Sequence, residues 1–196
     1  MNGRDKGGRE RIIQATVTLL LEMGLLAVQT RAVTERAGVG TGLLNHHFRW
    51  PELRAKAWEA IFEEVVADLW RTGEDPQGAL NRFITESFDN SARPYWTLWI
   101  QAEALSATDK AMAATLARTR TALRHRFTAL LEAGNAVGCW LLPRPAATAI
   151  RLEALRDGLV GMLLNGDAEI DAAQASYHLR HAITLERGDT PTLAAP

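Results

Sequence analysis

The chain predicts an all-α fold, and three observations carry that prediction. Apolar residues recur at helical spacing along most of the sequence, no stretch alternates apolar with polar residues as a half-buried strand would, and short Gly and Pro clusters punctuate the periodic segments. With 196 residues, 47% of them hydrophobic, there is room for a small N-terminal unit and a larger helical body with a sizeable core.

The first helix is marked by Ile12, Ile13, Ala15, Val17, Leu20 and Leu21, and it stops at Met23-Gly24. Arg4, Lys6, Arg9 and Arg11 crowd its start. Thr30 is expected to cap a short helix over residues 31–37, its hydroxyl accepting from an otherwise unpaired backbone amide, with Ala32, Val33 and Ala37 as the apolar face. Gly38 tolerates positive φ without a Cβ penalty, so it ends that helix and lets the next one leave at a steep angle. From Thr41 the next helix turns Leu44 and Phe48 inward, four residues apart, and leaves Thr41, Gly42, Asn45 and His46 outward. Two short helices joined at a glycine in this way read as a helix-turn-helix. The outward face is small and polar, which suits a DNA major groove.

A fourth helix is expected over residues 51–71, carrying Trp58, Ile61, Phe62, Val65, Val66, Leu69 and Trp70, and such a rigid helix could convey a tilt from body to reader. A break at 72–76 precedes helices at 77–90, 94–106 and 109–133. Asp109 caps the last of these, whose buried stripe is Met112, Leu116, Leu123, Phe127 and Leu130. Residues 134–145, with two Gly and two Pro, read as a connection before final helices at 146–165 and 171–186, and 188–196 as a disordered tail. The organisation expected is a reader at 1–50 and a helical body at 51–187.

Charge divides the same way. Through Lys56, nine basic residues stand against five acidic ones, while the whole chain carries −1. A basic head on an acidic body orients the molecule toward phosphate. No apolar run is long enough to span a membrane and no signal peptide is recognisable, so a cytoplasmic protein is expected. The lone Cys139 excludes an intrachain disulfide and a cysteine metal cluster, and reads as a packed small hydrophobe. Nothing points to an enzyme. There is no activated Ser or Cys motif, and Gly38, Gly40 and Gly42 follow a helix rather than a strand, so they are not a dinucleotide loop. His46 and His47 are adjacent and point about 100° apart, and His178 with His181 is more often an incidental spacing than a metal site. No catalytic residue, metal or cofactor is expected.

Residues 9–58 resemble the N-terminal domain of the TetR family of bacterial one-component repressors. The family pattern appears as Ala37-Gly38-Val39-Gly40-Thr41-Gly42-Leu43-Leu44-Asn45-His46-His47-Phe48. Gly40 stands where the family usually has a Ser N-cap and Asn45 where it has a phosphate-contacting Tyr. The Lys that follows is missing from the shorter Arg49-Trp50-Pro51-Glu52-Leu53, so Arg49, Arg54 or Lys56 would supply that charge. The resemblance implies a DNA-contacting set of Thr30, Arg31, Gly40, Thr41, Gly42, Asn45, His46, His47, Arg49 and Arg54.

The body, through residues 96–103 and Leu155-Arg-Asp-Gly-Leu159, is similar to the BetI-like branch of that family, whose type member answers to choline. Trp96, Trp99 and Glu103 fall at i, i+3 and i+7, and aromatic faces beside an acid suit an organic cation. Trp70, Phe88, Phe127, Trp140 and Asp157 are candidates for the rest of a lining. The alternative is that the Trp stripe is core and Glu103 pairs with an Arg. Ile150, Leu155, Gly158, Met162, Tyr177 and His181 on the last two helices are the candidate dimer interface, since the family pairs those helices across a two-fold axis. Symmetry would then set two recognition helices roughly 34–36 Å apart. The function expected is a homodimeric repressor released from a palindromic operator by a small molecule. The competing reading is a small-molecule-binding or scaffold protein whose DNA reader has degenerated.

Overall fold

The computed structural model describes residues 3–187, with side chains from residue 7, and every α-helix among them can be traced to a sequence signal. In order they are α1 (Gly3–Met23), α2 (Thr30–Ala37), α3 (Thr41–His47), α4 (Trp50–Leu69), α5 (Pro76–Ser87), α6 (Arg93–Ser106), α7 (Lys110–Ala136), α8 (Pro145–Asn165) and α9 (Ala172–Glu186). A 3₁₀ turn at Asn90–Ala92 precedes α6, and no strand occurs among the described residues. The expected tail at 188–196 lies outside the described residues, as do the side chains of Arg4 and Lys6. The chain forms two compact units, Met1–Val66 with Pro94–Thr121, and Ala67–Arg93 with Ala122–Pro196.

In the first unit, α1 buries Ile12, Ile13, Ala15, Leu19 and Leu20 and packs on α2 and α3. Thr16 is also buried; its hydroxyl donates to the Ile12 carbonyl at 2.7 Å, which satisfies the polar group inside the helix. Gly24, at φ 83°, ends α1 in a conformation that costs other residues a Cβ clash. The buried Leu25 that follows donates its backbone N–H to Gln101 Oε1 of α6 at 2.6 Å. Removing that acceptor with Gln101→Ala leaves a part-buried amide unpaired, a loss of about 1–3 kcal/mol. We expect faster native-state hydrogen exchange at the Leu25 amide; an unchanged rate would mean that water replaces the carbonyl at no cost.

An aromatic cluster forms where α4 and α6 meet. Trp58 and Phe62 have ring centroids 4.3 Å apart, and Trp99 lies 5.6 Å and 5.3 Å from them. Trp58 is fully buried and donates Nε1–H to the Leu98 carbonyl at 3.2 Å, so its one polar atom is satisfied. Asp109 sits just before α7 and accepts the Met112 N–H at 3.0 Å, the cap its position predicted.

In the second unit, Asp75 caps α5 by accepting from the Gln77 and Gly78 amides at 3.2 and 2.8 Å, with Pro76 in the first helical turn. The helix ends at Ser87, short of the expected residue 90, because Asp89 caps the 3₁₀ turn through the Ser91 N–H at 2.8 Å. Phe127 of α7 stacks on Phe83 of α5 at 4.4 Å. The expectation that α7 stops before Gly134 is corrected: the helix continues through Gly134 to Ala136. Glycine is there for clearance, since a Cβ at that position would lie 1.9 Å from Cζ2 of Trp140. Trp140 folds back over the helix and donates Nε1–H to the Leu131 carbonyl at 2.8 Å. The Asn135 carboxamide bonds both backbone groups of Leu142, at 2.8 and 2.9 Å, which fixes the return. Buried Glu153 of α8 is neutralised by Arg124 of α7 at 2.9 Å, and Asp171 and Gln174 open α9 with a reciprocal capping box.

Candidate nucleic-acid interface

The helix-turn-helix forms as the sequence requires. Gly38 adopts the left-handed conformation, φ 62° and ψ 42°, and the Val39 N–H reaches back to the Thr34 carbonyl at 3.0 Å, so α2 closes in a Schellman-type turn. Gly40 is extended and occupies the N-cap of α3 with no side chain to bond. Leu44 is fully buried and Phe48 is 7% exposed, anchoring α3 from below, while Thr41, Gly42, Asn45 and His46 are all exposed. That pattern presents a short polar ridge of the kind a major groove admits.

The expected cap of α2 is corrected. Thr30 is not the cap of α2: the Gln29 carbonyl already accepts the Val33 N–H at 3.3 Å, so Gln29 holds the cap position and Thr30 opens the helix. It is half-buried in the first turn of α2.

The cations of the reader divide into committed and uncommitted. Arg31 pairs with Glu35 at 2.9 Å along the exposed side of α2. Arg36 grips both oxygens of Glu22 at 3.0 and 2.7 Å, and those bonds hold the Glu22 carboxyl below its ordinary range. Arg54, expected as a phosphate contact, is turned the other way: its guanidinium bonds Asp109 at 2.8 Å, and the two side chains are only 14% and 8% exposed. Each charge of this pair is largely withdrawn from water and has the other as its partner. Arg49 is exposed and has no carboxylate partner among the described residues. His47 is half-buried beside the His46 ring, at a centroid distance of 5.1 Å. Arg9, one of the basic residues that crowd the start of α1, lays its guanidinium 5.1 Å from the centroid of Phe48.

The candidate ligand residues are distributed over both units, and most have structural partners. Trp99 is 5% exposed inside the aromatic cluster. Its Nε1–H points to Glu103 Oε1 at 3.2 Å, the same oxygen accepts from Arg120 at 2.6 Å, and the Arg120 guanidinium lies 5.7 Å from the Trp99 ring centroid. An aromatic face and an acid are therefore joined here, and the cation they hold is the chain's own. Trp96 is half-buried. In the second unit Phe127 is committed to Phe83, Trp140 to Leu131 and Arg187, and exposed Asp157 to Arg156 at 2.9 Å. Phe88 and Trp70 are 6% and 7% exposed, and the Trp70 Nε1–H has no acceptor among the described residues.

The candidate dimer residues lie on open surface. Ile150 is 49% exposed, Met162 38% and Tyr177 64%. Gly158 and His181 are exposed, Leu155 is half-buried, and the His181 ring stacks on Tyr177 at 6.1 Å. A Cβ at Gly158 would meet nothing within 4 Å.

Two family models match the chain: residues 12–49 match bacterial regulatory proteins of the tetR family, and residues 76–187 match the C-terminal domain of BetI-type transcriptional repressors. The chain is 29% identical to the HTH-type transcriptional regulator BetI of Burkholderia ambifaria over 184 residues, which covers 87% of this chain and 90% of that one. Among solved structures, a transcriptional regulator from Rhodococcus superposes with a TM-score of 0.72 at 24% identity, covering 93% of this chain and 99% of the other. A regulator from Saccharomonospora viridis, solved in complex with choline, superposes at 0.71 with 22% identity and coverage of 90% and 95%.

Proposed function

Since the chain belongs to the TetR family of DNA-binding transcriptional regulators and carries a BetI-type C-terminal domain, we propose that it acts as a homodimeric repressor, released from a palindrome-like operator by a small organic molecule. It would work in the cytoplasm; among the described residues no helix is long and apolar enough to cross a membrane. On this reading residues 1–50 read DNA and 51–187 bind ligand and mate. The observation that carries the dimer is the exposure of Ile150, Met162 and Tyr177 on α8 and α9, with half-buried Leu155 on α8, apolar surface that a monomer would not ordinarily leave in water. Gly158, with open space above it, admits the close approach of a second helix.

Organic cations are the effector class we favour. The choline complex of the Saccharomonospora regulator supports it, as does the contact that Trp99 and Glu103 make with the Arg120 guanidinium within this chain. To release DNA, the effector must bind the DNA-free conformation more tightly than the bound one; equal affinity shifts nothing.

The test begins with selection of duplexes from a random pool at two salt concentrations, which should enrich a palindrome-like site. Choline is then titrated against the complex. Release by choline that Glu103→Gln weakens supports the full reading, whereas release unaltered in that variant removes the carboxylate from it. If no sequence is enriched and residual binding disappears in salt, the reader is degenerate and the repressor reading fails. Tyr177→Asp should yield monomers in sedimentation and lose operator affinity together; a dimer that survives it places the interface elsewhere.

A further inference from the structure

We infer that Arg9, at the start of α1, is a DNA-backbone contact, held in place by the ring that ends the recognition helix. The first described turns of α1 lie directly on α3: Gly8 is buried, and a Cβ there would come 3.0 Å from Leu43 Cδ2. One residue on, the half-buried Arg9 lays its guanidinium 5.1 Å from the Phe48 centroid. Phe48 is itself fixed, 7% exposed and bonded through its N–H to the Leu44 carbonyl at 2.9 Å. From the guanidinium a row of rings leads along the end of α3, Phe48 to His47 at 6.2 Å and His47 to His46 at 5.1 Å. Arg9 therefore stands beside the last turn of the helix whose exposed face, Thr41 to His46, would enter the groove.

Stacking occupies the flat face of a guanidinium and leaves its N–H donors at the edge. Those donors suit two oxygens of one phosphate. Arg9 has no carboxylate partner among the described residues, unlike Arg31, Arg36 and Arg54, each of which has one. A major groove is about 12 Å wide and walled by phosphates, so a cation flanking one end of a helix seated in it meets the wall rather than a base. The ring also holds the long side chain in one orientation before DNA arrives, which lowers the ordering cost of the contact. Arg9 would add affinity and fix the angle of α3 without reading sequence.

The inference rests on DNA binding but on neither repression nor an effector. We would measure the affinity of the full chain for the best-enriched duplex between 50 and 300 mM KCl, as wild type and as Arg9→Ala, Arg9→Gln and Arg9→Lys, with the melting temperature of each. Each lost phosphate contact should flatten the slope of log K against log salt by about 0.9, or about 1.8 for a dimer. Arg9→Ala and Arg9→Gln should show that loss, Arg9→Lys should retain most of the slope, and base preference should be unchanged in all three. If Arg9→Ala does not fold, Arg9→Gln, which keeps most of the stem, gives the same reading. A wild-type slope in Arg9→Gln, with or without a lower melting temperature, would overturn the contact and leave Arg9 a packing residue. Wild-type protein that binds no duplex would overturn the DNA reading along with it.

Discussion

Gly134→Ala is expected to lower the melting temperature by roughly 10 °C, corresponding to a loss of about 3 kcal/mol. The substitution would be mild in most helices, where alanine is preferred over glycine by about 1 kcal/mol. Here the new methyl would stand 1.9 Å from Cζ2, 2.1 Å from Cε2 and 2.6 Å from Cη2 of Trp140. The indole cannot slide aside cheaply, because it is 5% exposed and tied to the Leu131 carbonyl at 2.8 Å, and Asn135 clamps the chain beyond it to Leu142. A double variant, Gly134→Ala with Trp140→Leu, should cost less than the sum of the two single changes, since removing the indole removes the clash. Additive losses would show that the helix yields there instead of the ring. Thermal denaturation of the four proteins decides between these outcomes.

Asp109→Ala should be comparably damaging, about 3–5 kcal/mol, because one carboxylate does two jobs. It caps α7 through the Met112 amide and neutralises Arg54, whose side chain is 14% exposed. Asp109→Asn separates the two: an Asn caps nearly as well, so what it loses is the ion pair. The pair also sets a pH dependence. Burial pushes the Asp109 carboxyl upward, but the bonds from the Met112 N–H and the Arg54 guanidinium outweigh it and hold the group below the ordinary carboxylate range. A carboxyl depressed in the folded state contributes stability that is complete above its unfolded value, about 3.9, and is lost as pH falls through the folded one. The stability gap between wild type and Asp109→Asn in urea unfolding should therefore be full at pH 6–7 and narrow below about pH 4. A constant gap would mean that charge is not what Asp109 contributes.

The helices and the reader were legible because their determinants are local. Gly38 and Gly40, the four-residue spacing of Leu44 and Phe48, and the cap residue Asp109 act within one helical turn of themselves. Three residues show the opposite property. Arg54 looked available for phosphate, and its partner lies 55 positions away. Gly134 resembled a helix terminator because composition carries no trace of the indole that passes over it. Glu103 falls on the same face as Trp99, yet Arg120, 17 positions further on in the next helix, already supplies the cation they hold. Side-chain chemistry could be read from the sequence; which side chains were already spoken for could not.

The first compact unit also has a consequence for how the protein is made. Its N-terminal stretch, through Val66, is completed only by residues 94–121. A ribosome must therefore synthesise about 55 further residues before α6 and the start of α7 are available, on the order of five seconds of translation. Until then Trp58 and Phe62 lack Trp99, and the Leu25 amide lacks Gln101. The DNA-reading helices thus leave the ribosome as an unfinished unit with apolar surface exposed, a natural client for chaperones. A message truncated between codons 67 and 93 would yield a fragment without residues 94–121 and so without the helices that complete the first unit.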